Sequence, residues 1–293
     1  MSTSAELPDL AVTGSTGALG GMVARTLAGQ GVQQRLLART PSRAPDLGGA
    51  VVLPASYADR QAATRALDGV RVLFMVSAAD AADRLDQHRA FIDAAAEAGV
   101  RHIVYTSFCG AAPDSVFTLG RDHYATEQHI KDTGIAHTFL RDNFYIDFLP
   151  ALAGDDGVIR GPAGDGRVAA VTRADIARAA VAVLTDPDAH LGATYRLTGP
   201  QALTMAEVAA TISDVTGQHV TFHNETVAEA YQSRRKWGAP AWQTDAWVST
   251  YTAIAAGEVD GVTDDVKNLT GRRPRSLATF LTARLRLSRT STS

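Results

Sequence analysis

Three glycines, Gly14, Gly17 and Gly20, stand between a short apolar run, Leu10-Ala11-Val12, and a segment with apolar residues at helical spacing, Leu19, Met22, Val23 and Leu27. A strand that turns into a helix through G-x-x-G-x-x-G has a specific physical use. Gly14 permits the tight turn, Gly17 lets the backbone approach a pyrophosphate, and Gly20 lets the helix pack closely on the sheet. Free N–H groups at the helix start hold the negative charge of the phosphates. The stretch Thr13, Gly14, Thr16, Gly17, Ala18, Leu19 and Gly20 is therefore a candidate dinucleotide contact. A tight turn without a ligand also recruits glycine. The position in the first strand–helix unit, with a second strand following at once, favours the nucleotide.

The second strand reads Gln33 to Arg39. Its end falls about 20 residues past the glycines, where an acid would bond a ribose 2′-hydroxyl. Arg39 stands there instead, with Arg43 four residues on. A planar fork of donors suits a 2′-phosphate, which points to NADP(H) over NAD(H). The alternative is a pair of solvated surface arginines.

Strand and helix patterns then alternate. Val51-Val52-Leu53, the strongly apolar Val70 to Val76, His102 to Thr106 and Ile135 to Leu140 read as strands. Helical patterns fall at about Ala58–Leu67, Arg84–Ala98 (ended by Gly99) and Asp122–Thr133 (ended by Gly134). Near-continuous apolar strands between helices imply a parallel sheet covered on both faces. The expected class is α/β, a doubly wound parallel sheet (Rossmann fold) with a smaller C-terminal α+β lobe. A nucleotide-binding domain is expected over 7–150, with a return strand near 193–198. The smaller lobe would take 151–192 and 199–285, and 286–293 a disordered tail. Gly154 to Gly166 reads as a loop or short hairpin.

Composition narrows the function classes. The 293 residues are 45% hydrophobic and 20% charged, with net charge −3, so no broad footprint for nucleic acid is expected. Cys109 is the single cysteine, which rules out an intrachain disulfide and fits a reducing compartment. With no signal-peptide pattern and no long apolar stretch, the expectation is a cytoplasmic protein without membrane contact, monomer or homodimer.

Several signatures occur in order: Thr13 to Gly20, Tyr105-Thr106-Ser107, His123-x-x-x-Glu127, Leu140-Arg141-x-Asn143, Thr172-Arg173-Ala174-Asp175-Ile176-Ala177, and Asp264-Asp265-Val266 through Leu269-Thr270-Gly271-Arg272. Together, over about residues 8–282, the chain resembles the NmrA-like branch of the atypical short-chain dehydrogenase/reductases. Within it, the chain looks closest to the NAD(P)H:quinone oxidoreductase type 2 and triphenylmethane reductase group. The resemblance implies a Rossmann domain, a small substrate lobe and NADPH in the cleft between them. Members often carry an Asp near the adenine. Ser56 takes that slot here, with Asp59 nearby as a substitute.

Orthodox relatives protonate the substrate with a Tyr, assisted by a Lys four residues on. Aligned on Glu127, His123 falls at the Lys slot and Leu119 at the Tyr slot. Reduction of an ordinary ketone builds an alkoxide and needs a positioned acid. A quinone or cationic dye tolerates its absence, because the product charge is delocalised. The implied activity is NADPH-dependent hydride transfer to a quinone or similar delocalised aromatic acceptor. The alternative is a non-catalytic NADP(H)-sensing regulator of the NmrA type. His123 and Glu127, at i and i+4, can touch on one helix face. The resemblance gives His123 a contact to the nicotinamide ribose, with Glu127 fixing its orientation. Otherwise they are an ordinary helix pair. Val76-Ser77, Thr106-Ser107 and Asn143 follow strand ends, at the edge where ligands bind in open parallel sheets. They are candidate contacts to nicotinamide or substrate, and Phe144 and Tyr145 candidates to stack on a flat ring. Each is equally compatible with loop packing. No metal site is expected, because the remaining histidines are scattered.

Overall fold

The structure, a computed structural model, describes residues 7–290. Its centre is a seven-stranded sheet in the order β3-β2-β1-β4-β5-β6-β9. The strands are β1 (Leu10–Thr13), β2 (Gln34–Ala38), β3 (Ala50–Pro54), β4 (Val72–Met75), β5 (His102–Phe108), β6 (Ala136–Asp142) and β9 (Thr194–Leu197). Adjacent pairs from β3 to β5 run parallel. The apolar runs seen in the sequence are these strands: every residue of β1, β4 and β5 is buried, as a sheet covered on both faces requires. The crossovers are helices α1 (Ala18–Gly29), α2 (Arg60–Leu67), α3 (Arg84–Glu97), α4 (Thr118–Asp132) and α5 (Arg173–Thr185). Helix α4 begins four residues before its expected start at Asp122.

The remaining strands are β7 (Val158–Gly161), β8 (Arg167–Val168), β10 (Leu203–Thr204) and β11 (Thr221–Asn224). The stretch Gly154 to Gly166 opens on a short hairpin turn, with an antiparallel bridge between Ala153 and Ile159 and the Gly154 N–H donating to the Val158 carbonyl. Its strand β7 pairs in parallel with β11, and the following β8 pairs antiparallel with β10, so each finds its partner far along the chain. Helices α6 (Met205–Thr216) and α7 (Val227–Arg234) each open on a reciprocal cap, Thr204 with Glu207 and Thr226 with Glu229. Then come α8 (Ala241–Ala255), α9 (Asp265–Thr270) and α10 (Leu277–Thr290). Helix α10 carries helical backbone through 286–290, where an irregular tail was expected. The run Ala283-Arg284-Leu285-Arg286-Leu287 is made of strong helix formers. Residues 291–293 of that expected tail lie outside the described residues.

The chain divides into two compact units. The first takes the chain up to Ser107, with Asp122–Arg141 and Ile176–Tyr195; the second takes Phe108–Arg121, Asp142–Asp175 and the chain from Arg196 on. The division is more interleaved than the expected boundaries at 150 and 192. Phe108 and Phe117 join the apolar cluster of Ile159, Val208 and Tyr251, while most of α5 belongs to the first unit. The first unit's core gathers Leu73, Met75, Phe91, Ile92, Tyr105 and Phe139. Among the described residues no helix is long and apolar enough to cross a membrane.

Candidate active site

The glycine turn sits where β1 passes into α1. Gly14 has φ +63, the left-handed region that an L side chain avoids. A Cβ on Gly20 would lie 2.4 Å from the Gly14 carbonyl oxygen and 2.6 Å from that of Thr13, so the helix touches the strand there without a side chain between them. Gly17 differs. Its backbone is ordinary, φ −93 and ψ 177, and an added Cβ would meet only the Gly14 oxygen, at 3.2 Å. A Cβ there asks the Gly14 carbonyl to give by a few tenths of an ångström and meets nothing else within 4 Å, and Gly17 is exposed. Helix α1 has no side-chain cap and no acid in its first turn, so its opening N–H groups lack an anionic partner among the described residues. That cradle fits a pyrophosphate. Gly14, Thr16, Gly17 and Ala18 are exposed, whereas Thr13, Leu19 and Gly20 are buried.

Arg39 immediately follows β2, and Arg43 closes the short 3-10 turn Pro41–Arg43; both are exposed. Neither guanidinium has a hydrogen bond or ion pair among the described residues, so both forks are available to a phosphate. Ser56 is half-buried, and its hydroxyl accepts a 3.3 Å bond from the Ala58 N–H. Asp59, exposed, caps α2 by accepting from the Ala62 N–H at 2.9 Å through Oδ1.

Next along the sheet edge, the segment leaving β4 is bound by side chains. Thr13 Oγ1 accepts from the Val76 N–H at 2.8 Å, and the Tyr57 hydroxyl donates to the Val76 carbonyl. Tyr57 also meets Thr13 Oγ1 at 2.7 Å and stacks on Phe91, and burial raises its pKa. Thr106 Oγ1 accepts from the Ser77 N–H at 2.8 Å.

His123 is buried on α4. Its Nε2 meets Arg84 Nη2 at 3.1 Å, and its Nδ1 meets the Tyr105 hydroxyl at 2.9 Å. A guanidinium can only donate, so Nε2 accepts and the ring proton sits on Nδ1. Burial first, then the Arg84 charge, push the His123 pKa well below its ordinary value, so the ring is neutral at pH 7. Arg84, itself 2% exposed, also donates from Nε to the Ala78 carbonyl at 3.0 Å and pairs with Asp122 at 3.5 Å.

The expected contact between Glu127 and His123 is not made. Glu127 is 0% exposed, and its two oxygens are held by the Arg141 fork, Nε to Oε1 at 2.8 Å and Nη2 to Oε2 at 2.6 Å. The Ser107 hydroxyl adds a 2.6 Å bond to Oε1. A bidentate guanidinium is the stronger partner for a carboxylate, so Glu127 ties α4 to β5 and β6, and Arg84 and Tyr105 orient the imidazole instead.

Asn143, Phe144 and Tyr145 belong to the second unit. The Asn143 amide donates to the Val259 carbonyl at 2.9 Å and accepts from the Phe144 N–H at 2.8 Å. Both ends of the amide thus hold the chain within this unit. Phe144 packs at 5.0 Å from Phe108 and 5.2 Å from Phe117, ring centre to ring centre. Tyr145 donates to Asp142 at 2.6 Å and stacks on the exposed Phe148, with the Arg173 guanidinium 4.1 Å from the Phe148 ring. Leu119 packs against the second unit's apolar cluster. Among the described residues no group of three or more His, Cys, Asp or Glu could hold a metal ion.

Tyr57, Arg84, His88 and Tyr105 were missed from sequence. One signal for two of them was present. Arg84, His88, Phe91, Ile92, Ala94 and Ala95 are the buried residues of α3, so an Arg and a His occupy apolar positions one turn apart. Polar residues at such positions need buried partners.

A model of the NmrA-like family matches residues 8–234. The chain belongs to the NmrA-like family. Among its relatives, quinone oxidoreductase 2 of Escherichia coli is 36% identical over 267 residues, covering 89% of this chain and 92% of that protein. An NAD(P)H azoreductase of Xenophilus azovorans is 35% identical over 277 residues, covering 93% and 96%. The crystal structure of the E. coli NADPH-dependent quinone oxidoreductase complexed with NADPH superposes with a TM-score of 0.86 at 33% identity, over 94% of this chain and 99% of that one. The seven-stranded Rossmann-type architecture of this family member is thus shared with enzymes named for nicotinamide-dependent reduction.

Proposed function

We propose that this NmrA-like protein is an NADPH-dependent reductase that passes hydride to quinones and similar delocalised aromatic acceptors. The observation that carries the reading is Gly17, an exposed glycine with an ordinary backbone at the uncapped start of α1. It sits in a chain about 35% identical to a quinone oxidoreductase and an azoreductase. Gly14 to Ala18 hold the pyrophosphate, and Arg39, with Arg43, takes the 2′-phosphate. When bound, NADPH supplies the hydride. The chain's own residues shape what can accept it. His123 is neutral, with its proton on Nδ1 facing Tyr105 and its Nε2 facing Arg84, and Tyr105 is fully buried. Neither group is placed as a proton donor to a substrate. Ser77 and Thr106 line the sheet edge where the nicotinamide belongs. Acceptors whose reduced form is a stabilised anion, protonated later by water, match this arrangement.

Two expected results follow from these roles. NADPH binds more tightly than NADH, and Arg39→Asp weakens NADPH by ~1.5–3 kcal/mol, through lost charge-assisted contact and new repulsion. Titration of both nucleotides checks this; equal affinities in the unmodified protein would sink the 2′-phosphate assignment. Steady-state turnover with 4-deuterated NADPH should be robust on a quinone panel, with deuterium passing to the acceptor, and poor on simple aliphatic ketones. Tight NADPH binding with no turnover on any quinone would replace the enzyme by an NADP(H)-sensing regulator.

A further inference from the structure

The sheet order places β1 between β2 and β4. A dinucleotide with its pyrophosphate at the start of α1 and its adenylate half at Arg39, beyond β2, sends its other half over the ends of β4 and β5. The chain there is Val76-Ser77-Ala78. Five of its six backbone polar groups are held by side chains. Thr13 and Tyr57 take the N–H and C=O of Val76, and Thr106 takes the N–H of Ser77. His88 Nε2 accepts from the Ala78 N–H at 2.8 Å, and Arg84 Nε donates to the Ala78 C=O at 3.0 Å. Only the Ser77 carbonyl and the Ser77 hydroxyl have no partner among the described residues.

The grip on Ala78 is itself fixed from behind. Thr126 donates its hydroxyl proton to the Asp122 carbonyl at 2.7 Å, so toward His88 Nδ1, 2.9 Å away, it can only accept. His88 therefore carries its proton on Nδ1 and presents a lone pair at Nε2. Arg84 and His88 lie one turn apart on α3, and both are buried. Side chains at i and i+4 share one helix face, so a single helix holds both polar groups of one peptide unit.

We propose that Arg84 and His88 are positioning residues for the nicotinamide half of the cofactor. By clamping both polar groups of Ala78 they hold the Ser77 carbonyl and hydroxyl toward the N–H and O–H donors of that half, its carboxamide and ribose. The assignment rests on the NADP(H) reading above and deepens it. A loose segment would leave the same groups present but disordered, and ordering them on binding would cost affinity.

The test compares NADPH with adenosine 2′,5′-bisphosphate, which carries only the adenylate half. His88→Leu should weaken NADPH binding about tenfold, the worth of a lost buried hydrogen bond, and leave bisphosphate affinity unchanged. His88→Gln, which keeps an acceptor near the Nε2 position, should restore NADPH affinity to within about threefold. An unchanged NADPH affinity in His88→Leu, or equal losses for both ligands, overturns the assignment. A measurement on the unmodified protein covers the case in which His88→Leu does not fold. Labelling with carbonyl-13C serine and 15N alanine selects Ser4-Ala5 and Ser77-Ala78, the two Ser-Ala pairs in the sequence. The Ser77 carbonyl resonance should shift with NADPH and not with the bisphosphate. No shift with NADPH bound rejects the proposal. An unmodified protein that binds neither ligand removes the nucleotide reading, and the clamp's role with it.

Discussion

Arg141→Met is expected to destabilise the protein by about 3–5 kcal/mol, the usual cost of breaking a buried ion pair from one side. Glu127 is fully buried, and two of its three hydrogen bonds come from the Arg141 fork. With the guanidinium gone, the buried carboxylate keeps one neutral donor, Ser107. The reverse substitution is milder. In Glu127→Gln the Arg141 side chain, 24% exposed, can turn part of its fork to solvent, so a loss of about 1–2 kcal/mol is expected. Urea unfolding of both variants, with unchanged slope, measures the difference. If Arg141→Met lost less than Glu127→Gln, the carboxylate would not be the member of the pair that depends on its partner.

This pair also marks the limit of what the sequence makes legible. The strands β1, β3 and β4 are nearly continuous apolar runs and β2, β5 and β6 carry shorter ones, set between glycines and helical periodicity, so their existence and order follow from local pattern. The glycine turn is equally local: Gly14, Gly17 and Gly20 lie within one turn and the helix start. Arg39 is legible because its place at the end of β2 depends only on counting. The site's interior depends on pairings between distant residues. Glu127 at i+4 from His123 is a reasonable local pair, but Arg141, 14 positions on, is a better partner than a buried neutral imidazole. Arg84 reaches His123 across 39 positions, and Ser107 reaches Glu127 across 20. No periodicity announces such contacts. Asn143 shows the same limit from the other side. It follows a strand end, as a ligand contact would, and its amide donates to Val259, 116 positions away.

The three glycines of the turn serve different purposes, and substitution separates them. Gly17→Val should leave a folded protein and weaken NADPH binding by at least about a hundredfold, roughly 2.7 kcal/mol. The backbone at Gly17, φ −93 and ψ 177, is open to any residue, and within the protein a Cβ meets only the Gly14 oxygen at 3.2 Å. The isopropyl group would instead occupy the approach of the pyrophosphate to the start of α1. Gly20→Ala should show the opposite pattern. Its Cβ would lie 2.4 Å from one backbone oxygen and 2.6 Å from another, and neither strand nor helix can give way without moving core residues such as Val23 and Leu27. The expected result is a loss of about 1–3 kcal/mol or more in stability, with binding falling only as the turn is distorted. Thermal unfolding beside nucleotide titration reads both variants. Undiminished NADPH binding by a folded Gly17→Val protein would place the nucleotide elsewhere on the sheet edge, and with it would go the roles given to Ser77 and Arg39.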